Sequence, residues 1–306
     1  MRYLAILFLI FIYSDMLFQN NNKQTKSELK AQKHIIAIYQ NRANSYNRKI
    51  SKKAQYKLAK FYQKGKLVKK DLAQYHYYIK LSADNGYKWA QFELANIYKK
   101  DGKNRQSFKM MKRSADQGHI WASYNLALMY FDGLGTKKNY KKSFFYMQRP
   151  VLYGYKKAQY AMAKMYYYGY GIGQDVEMAK EILNMAIEQK DTKSMILLAD
   201  INYKDNQFVE ALLLYTQASD LGDDEASFKL VNIYLEANKT ETAIKLLKNM
   251  ENRSQKARDK LAMIYLYKLN NHKKATQIYI KNDFLKSNFY IDRNLQEPMI
   301  WSELLY

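Results

Sequence analysis

The stretch KAQYAMAKMYYYGYGIGQDVEMAK, residues 157–180, decides how the chain is read. Three tyrosines run into Gly169, Gly171 and Gly173. A Gly-x-Gly-x-Gly run can cradle a phosphate on backbone amides at the start of a helix, or it can turn the chain between two helices. The first reading makes a nucleotide-using enzyme, and the second removes the chemistry. The rest of the chain decides between them. With 306 residues but only 2 Pro and 11 Gly, it has few breakers and reads as helix nearly throughout. Apolar residues at 48% suffice for a sizeable core.

Seven segments line up on the quoted one: KAQYKLAKFY, WAQFELANIY, WASYNLALMY, KAQYAMAKMY, KSMILLADINY, EASFKLVNIY and KARDKLAMIY. Their small residues are Ala54, Ala90, Ala122, Ala158, Ser194, Ala226 and Ala257, at steps of 36, 32, 36, 36, 32 and 31 residues. Four positions on stands Leu or Met, as in Leu58 and Met162, then Ala or Val, as in Ala59 and Val231. Tyr follows at offset eight in six of the seven, with Tyr203 displaced by one. At 100° per residue these offsets share a stripe about 140° wide, the buried face of a helix.

A second small residue follows each first helix: Ala73, Ser107, Ser143, Ala179, Ala211, Ala243 and Ala275. Gly86, Gly118, Gly154 and Gly222 fall four residues before the next first helix, where a helix end favours a left-handed residue. The unit is a helix hairpin repeated seven times. Gly133 and Gly135 occupy the same register as Gly169 and Gly171, and no strand precedes either run, so the glycines mark an inter-helix turn. Pro150, late in the second helix of the third unit, reads either as a kink or early helix end or as a tolerated terminal proline.

The pattern A-x-x-x-L-A-x-x-Y, G-x-G, a helix with a central Ala, then G-x-x-x-A resembles the Sel-one-like repeat (SLR) family, kin to tetratricopeptide repeats. It covers residues 51–285, with the full G-x-G turn only in the units at Ala122 and Ala158. The units at Ala90, Ser194, Ala226 and Ala257 have shorter, tetratricopeptide-like turns. The resemblance implies an all-α, right-handed α-solenoid used as a scaffold or adaptor. Its ends need caps. Residues 23–50 are expected to form a linker and an N-terminal capping helix, and 286–306 a C-terminal cap.

MRYLAILFLIFIYS at the N-terminus carries Arg2 ahead of an apolar run from Tyr3 to Tyr13. Eleven residues span roughly 17 Å, short of the ~30 Å hydrocarbon core, so residues 1–22 read as a secretory signal or short anchor. The expectation is an exported protein, periplasmic or secreted, with tethering by an uncleaved signal as the variant.

The chain has no Cys, and its four His (His34, His76, His119, His272) lie in different units with no ligand spacing. Neither HExxH nor a Gly-x-Ser-x-Gly elbow occurs. No metal, cofactor or catalytic residue is therefore expected.

Charge is uneven. Residues 1–150 hold 30 Lys and Arg against 8 Asp and Glu, whereas 151–250 hold 11 against 14. The first three inter-helix turns are lysine-rich and the fourth carries no Lys or Arg. Lys64, Lys66, Lys69 and Lys70 come from the first turn, and Lys99, Lys100, Lys103 and Arg105 from the second. Lys137, Lys138, Lys141 and Lys142 come from the third. Equivalent turns of a solenoid stack along one edge, so these residues are expected to form a ridge that meets an acidic lipid, an acidic polysaccharide or an acidic protein.

Aromatics recur at offset two of the first helices: Tyr56, Phe92, Tyr124, Tyr160 and Phe228, with Trp89 and Trp121 just ahead of the repeat alanines. They read either as one side of a groove for a partner peptide or helix, or as packing between adjacent repeats. The leading expectation is a non-catalytic scaffold in a bacterial cell envelope that binds another protein. A nucleic-acid or anionic-polymer binder and an envelope enzyme with an unrecognised site are the alternatives. Export counts against nucleic acid.

Overall fold

The computed structural model describes residues 30–65 and 67–280. The expected signal segment 1–22, the C-terminal cap 286–306 and Lys66 lie outside the described residues. Those described form helices joined by short turns, with no strand among them. Helix α1 covers residues 30–43. The hairpins then follow in order: α2 (Arg48–Lys64) with α3 (Leu72–Asp84), α4 (Lys88–Lys100) with α5 (Asn104–Asp116), and α6 (Ile120–Asp132) with α7 (Tyr140–Leu152). Next come α8 (Lys156–Tyr168) and α9 (Val176–Ile187), α10 (Thr192–Lys204) with α11 (Phe208–Asp220), and α12 (Asp224–Glu236) with α13 (Thr240–Met250). The last is α14 (Gln255–Met263), continued by a π-helical turn over Ile264–Lys268, with α15 (His272–Ile280).

Two compact units divide the chain, one up to Ala186 and one from Ile187. Within the first, α2 packs on α3, α4 on α5 and α6 on α7, and successive hairpins meet through α3–α4, α5–α6 and α7–α8. Within the second, α10–α11, α12–α13 and α14–α15 pair in the same way. Stacking of hairpins in chain order is the α-solenoid arrangement, in which each hairpin buries its apolar stripe only against its neighbours.

The first-helix register is the core. Ala54, Ala90, Ala122, Ala158, Ser194, Ala226 and Ala257 are all buried, as are the Leu or Met four residues on and the Ala or Val after it. A small side chain at the first of these positions lets the paired helices approach closely. The second-helix register holds from α5 onward, where Ser107, Ser143, Ala179, Ala211, Ala243 and Ala275 are buried. In α3 it is corrected: Ala73 is exposed, and Tyr75 takes the slot. The first turn is as long as the two G-x-G turns, which moves the slot two residues along. Tyr75 fits there because its hydroxyl leaves the core and donates to Glu93 Oε1 at 2.8 Å.

Pro150 is buried inside α7, and α7 has 13 residues, the same as α5, so the proline does not shorten the helix. It stands two residues before the helix end, so little helix follows it to be disturbed.

The two glycines of each G-x-G turn have different tasks. Gly133 and Gly169 are left-handed caps whose N–H groups donate to Met129 and Met165 carbonyls. Gly135 and Gly171 are points of close approach between repeats. A Cβ on Gly135 would stand 2.2 Å from the carbonyl oxygen of Asn104, and one on Gly171 2.2 Å from that of Tyr140. Asn104 and Tyr140 begin the second helix of the preceding hairpin. The space that a phosphate would need is filled by backbone oxygen.

The first turn has no preceding hairpin, and there Leu67 takes the left-handed conformation at φ 69°. Leu67 packs instead with Tyr39 and Phe61 against a cluster of Ile36, Ala43, Ala54 and Leu58. Helix α1 thus meets α2 much as a second helix meets the next hairpin. The amide of Gln55 donates to Ala43 O at 2.9 Å, and that of Gln91 donates to Ala83 O at 3.1 Å.

Candidate partner-binding surfaces

The aromatic residues of the first helices divide into two sets. Tyr56, Phe92 and Tyr124, at offset two, fill the seam between successive hairpins by meeting the residue that precedes the next first helix. Tyr56 lies edge-on to Tyr87 at 5.2 Å, Phe92 stacks on His119 at 4.6 Å, and Tyr124 lies edge-on to Tyr155 at 5.0 Å. Tyr87, His119 and Tyr155 are the N-cap residues of α4, α6 and α8. Tyr56, Phe92, Tyr124 and Tyr160 are half-buried. Burial raises the Tyr124 hydroxyl pKa, and burial together with Glu93 raises that of Tyr56.

Trp89 and Trp121 form the other set. Each stands one residue before its repeat alanine, and they are 37% and 49% exposed. Their rings meet edge to face at 5.8 Å, and Trp89 lies 4.3 Å from the His119 ring. The same register is held by Lys53 in the repeat before and Lys157 in the repeat after, both exposed. Two tryptophans from successive repeats thus sit in a row between two lysines.

His119 was singled out in the sequence only as an isolated histidine, and the structure gives it a position at the heart of this cluster. It is 2% exposed. Its Nδ1 accepts from Ala122 N at 3.1 Å, so the proton is on Nε2, which has no hydrogen-bond partner. Burial, reinforced by the Lys88 charge, lowers its pKa to about 4. The alignment Tyr87, His119, Tyr155, each three residues before a repeat alanine, was readable as an aromatic slot in which His119 stands.

A polar contact recurs between neighbouring first helices. Lys60 donates to Glu93 at 2.7 Å, the carboxylate that also accepts from Tyr75. In the second unit the signs are exchanged: Lys229 donates to Asp200 at 2.8 Å, and Tyr215 donates to the same carboxylate. In both pairs the partners stand at offset six of one repeat and offset three of the next. These carboxylates are taken up by inter-repeat bonding rather than arranged across a cleft.

The ridge residues other than Lys66 are all exposed. The contact of Gly135 with Asn104, which continues to Arg105 N at 3.1 Å, seats the third turn directly on the start of α5. Lys103 pairs with Asp101 at 3.3 Å, and Lys138 and Lys142 lie over the Tyr140 and Tyr130 rings at 5.8 and 5.6 Å. Among the described residues no group of three or more His, Asp or Glu is placed to hold a metal ion, and no helix is long and apolar enough to cross a membrane.

The Sel1 repeat model matches residues 52–87, 90–119, 122–149, 156–191 and 204–223. The first four stretches each fall on one of the four hairpins from α2 to α9, and the last falls on α11. Among solved structures, a protective antigen present in uropathogenic Escherichia coli strains and displaying an SLR fold superposes with a TM-score of 0.62 at 23% identity. That match covers 84% of this chain and 61% of the antigen, so the chain spans about three fifths of its length. A Sel1 repeat protein from Oxalobacter formigenes superposes with a TM-score of 0.57 at 26% identity, over 67% of this chain and 87% of that one. No curated protein matches the chain in sequence. Sel1 repeats generally mediate protein–protein interaction. From its hairpin register, its G-x-G turns and these matches, the chain belongs to the Sel1-repeat family.

Proposed function

We propose that the protein is a non-catalytic adaptor of a bacterial cell envelope, exported by its N-terminal segment, that holds a partner protein on the row built around Trp89 and Trp121. The observation that supports this most is the exposure of two tryptophans from successive repeats on a floor of Phe92 and His119. Trp and Tyr, with Arg, are enriched among the residues that carry most of the binding free energy when a partner covers them. Tyr56, Phe92 and Tyr124 hold the seams beneath and beside them. Lys53 and Lys157 at the ends of the row favour an acidic partner segment. The ridge from Lys64 to Lys142 is a second contact, with an anionic component of the envelope such as acidic lipid or polysaccharide.

Site-specific photo-crosslinking tests the first contact. A photoreactive phenylalanine analogue at Trp121 should trap one discrete protein in the envelope, whereas the same group at exposed Leu213 should not. Equal trapping at both positions contradicts the assignment. Export is tested by fusing a reporter that is active only outside the cytoplasm after residue 22, and a silent reporter removes that part of the reading. The ridge is tested by changing Lys137, Lys138, Lys141 and Lys142 to Gln and measuring envelope association against salt. Association and salt dependence that stay unchanged leave the ridge without a partner.

A further inference from the structure

The basic ridge does not end at the turns. Helix α5 carries Arg105, Lys109 and Arg113 at four-residue spacing, all exposed, and so forms a cationic stripe along its outer side. Helix α7 lies beside it, tied by Tyr146, whose hydroxyl donates to Asp116 of α5 at 2.9 Å. The outer side of α7 continues the charge with Lys141, Lys142 and Arg149, but it interleaves them with large apolar side chains. Phe145 is 64% exposed, Leu152 84% and Tyr153 64%. Acid is nearly absent from the α5 stripe: Asp116 is already bonded to Lys112 at 2.5 Å and to Tyr146. On α9, two helices on in the chain, the exposed charges are Glu177 and Glu181. The outer side of α7 therefore combines cations with exposed Phe and Leu, whereas α9 presents acids.

We infer that the outer face of α5 and α7, together with the turns that lead into them, docks on an anionic lipid bilayer. This rests on reading the ridge as an anion contact and names the anion. Charge alone fits any polyanion. A bilayer also offers an apolar layer just beneath its charged headgroups, which is the environment that Phe145 and Leu152 lack in water. Tyr153, with an apolar ring and a polar tip, suits the boundary between them. A phosphate backbone or an acidic glycan has no such layer and would leave these three side chains exposed. A second copy of this face would bring like charges together, which disfavours self-association through it.

Each Lys or Arg near an anionic bilayer multiplies affinity roughly five-fold. The test is co-sedimentation of the full chain with phosphatidylcholine vesicles, with and without phosphatidylglycerol. The wild-type protein should bind the phosphatidylglycerol vesicles more tightly. Lys109→Gln with Arg113→Gln, which leaves the turn ridge intact, should weaken that binding roughly twenty-fold. Phe145→Ser with Leu152→Ser should weaken it roughly ten-fold while retaining its dependence on salt. Circular dichroism melts of both variants, all at exposed positions, should match the wild type.

If Phe145→Ser with Leu152→Ser binds as tightly as the wild type, the bilayer inference is overturned. The same holds if soluble polyglutamate or polyuridylate binds as tightly as the vesicles and is equally indifferent to that pair. In either case the ridge reading survives if changing the four lysines at 137, 138, 141 and 142 to Gln abolishes binding. If neither the ridge nor the α5 variant changes affinity for any of these anions, both readings fall.

Discussion

Gly135 lies against the carbonyl of Asn104, close enough that a Cβ at Gly135 would stand 2.2 Å from that oxygen. This contact joins the turn of one hairpin to the start of a helix in the hairpin before it, and Gly171 repeats it against Tyr140. Gly154 also has positive φ, at 70°, but a Cβ there meets nothing within 4 Å. The three glycines therefore separate conformational strain from steric exclusion. Gly154→Ala should cost about 1 kcal/mol, from strain alone. Gly135→Ala and Gly171→Ala should each cost about 2 kcal/mol more, because backbone must move to admit the methyl group. Urea unfolding measures the difference, and equal costs at all three positions would show that the repeats do not abut there.

Ser107 and Ser143 hold the same register position in α5 and α7, yet only one is satisfied. Ser107 Oγ donates to Ala95 O at 2.7 Å, whereas Ser143 Oγ is buried with no partner. Ser107→Ala should then destabilise the protein by about 1 kcal/mol. Ser143→Ala should be neutral or stabilising by up to about 1 kcal/mol, since Ala already fills this slot in α9, α11, α13 and α15. The melting temperature should fall for Ser107→Ala and hold or rise for Ser143→Ala.

His119 makes stability depend on pH. Its folded pKa, about 4, lies below the ordinary histidine value of 6.5, so the unfolded chain binds the proton more tightly. The stability it contributes is complete above about pH 6.5 and is lost as pH falls from there toward about 4. The whole step is on the order of 3 kcal/mol. His119→Asn keeps an N-cap acceptor for Ala122 and removes the titration. Unfolding free energies measured between pH 7 and pH 4 should therefore fall more steeply in the wild type than in this variant, and parallel curves would contradict the assignment.

The first-helix register was legible because its constraint is local: Ala, then Leu or Met four residues on, recurs at a fixed phase of one helix. The second-helix register failed at Tyr75, since nothing in the neighbouring sequence shows that a tyrosine ring fits a small-residue slot once its hydroxyl reaches Glu93, 18 residues away. The G-x-G turns were read correctly as turns, but the steric task of Gly135 and Gly171 depends on a carbonyl from the preceding hairpin. The shorter turns carried a signal that passed unused. Asn206, Asn238 and Asn270 take left-handed conformations where Gly102 does in the second hairpin, and Asn is the residue that tolerates this after Gly. The lysines of the ridge stood out in the sequence, whereas the exposure of Phe145 and Leu152 depends on the helix face they occupy, which the repeat pattern did not single out.

The central claim is that Trp89 and Trp121 serve a partner rather than the fold. The measurement that tests it most directly pairs thermal stability with partner capture for Trp89→Ala, Trp121→Ala and the double variant. A fully buried Trp truncated to Ala typically costs about 3–5 kcal/mol. At 37% and 49% exposure each substitution should cost well below that, about 1–2 kcal/mol, with helix content unchanged. The protein trapped by crosslinking at Trp121 should meanwhile be retained at least about ten-fold less by the double variant. Undiminished capture, or a stability loss as large as that of a buried tryptophan, would contradict the account.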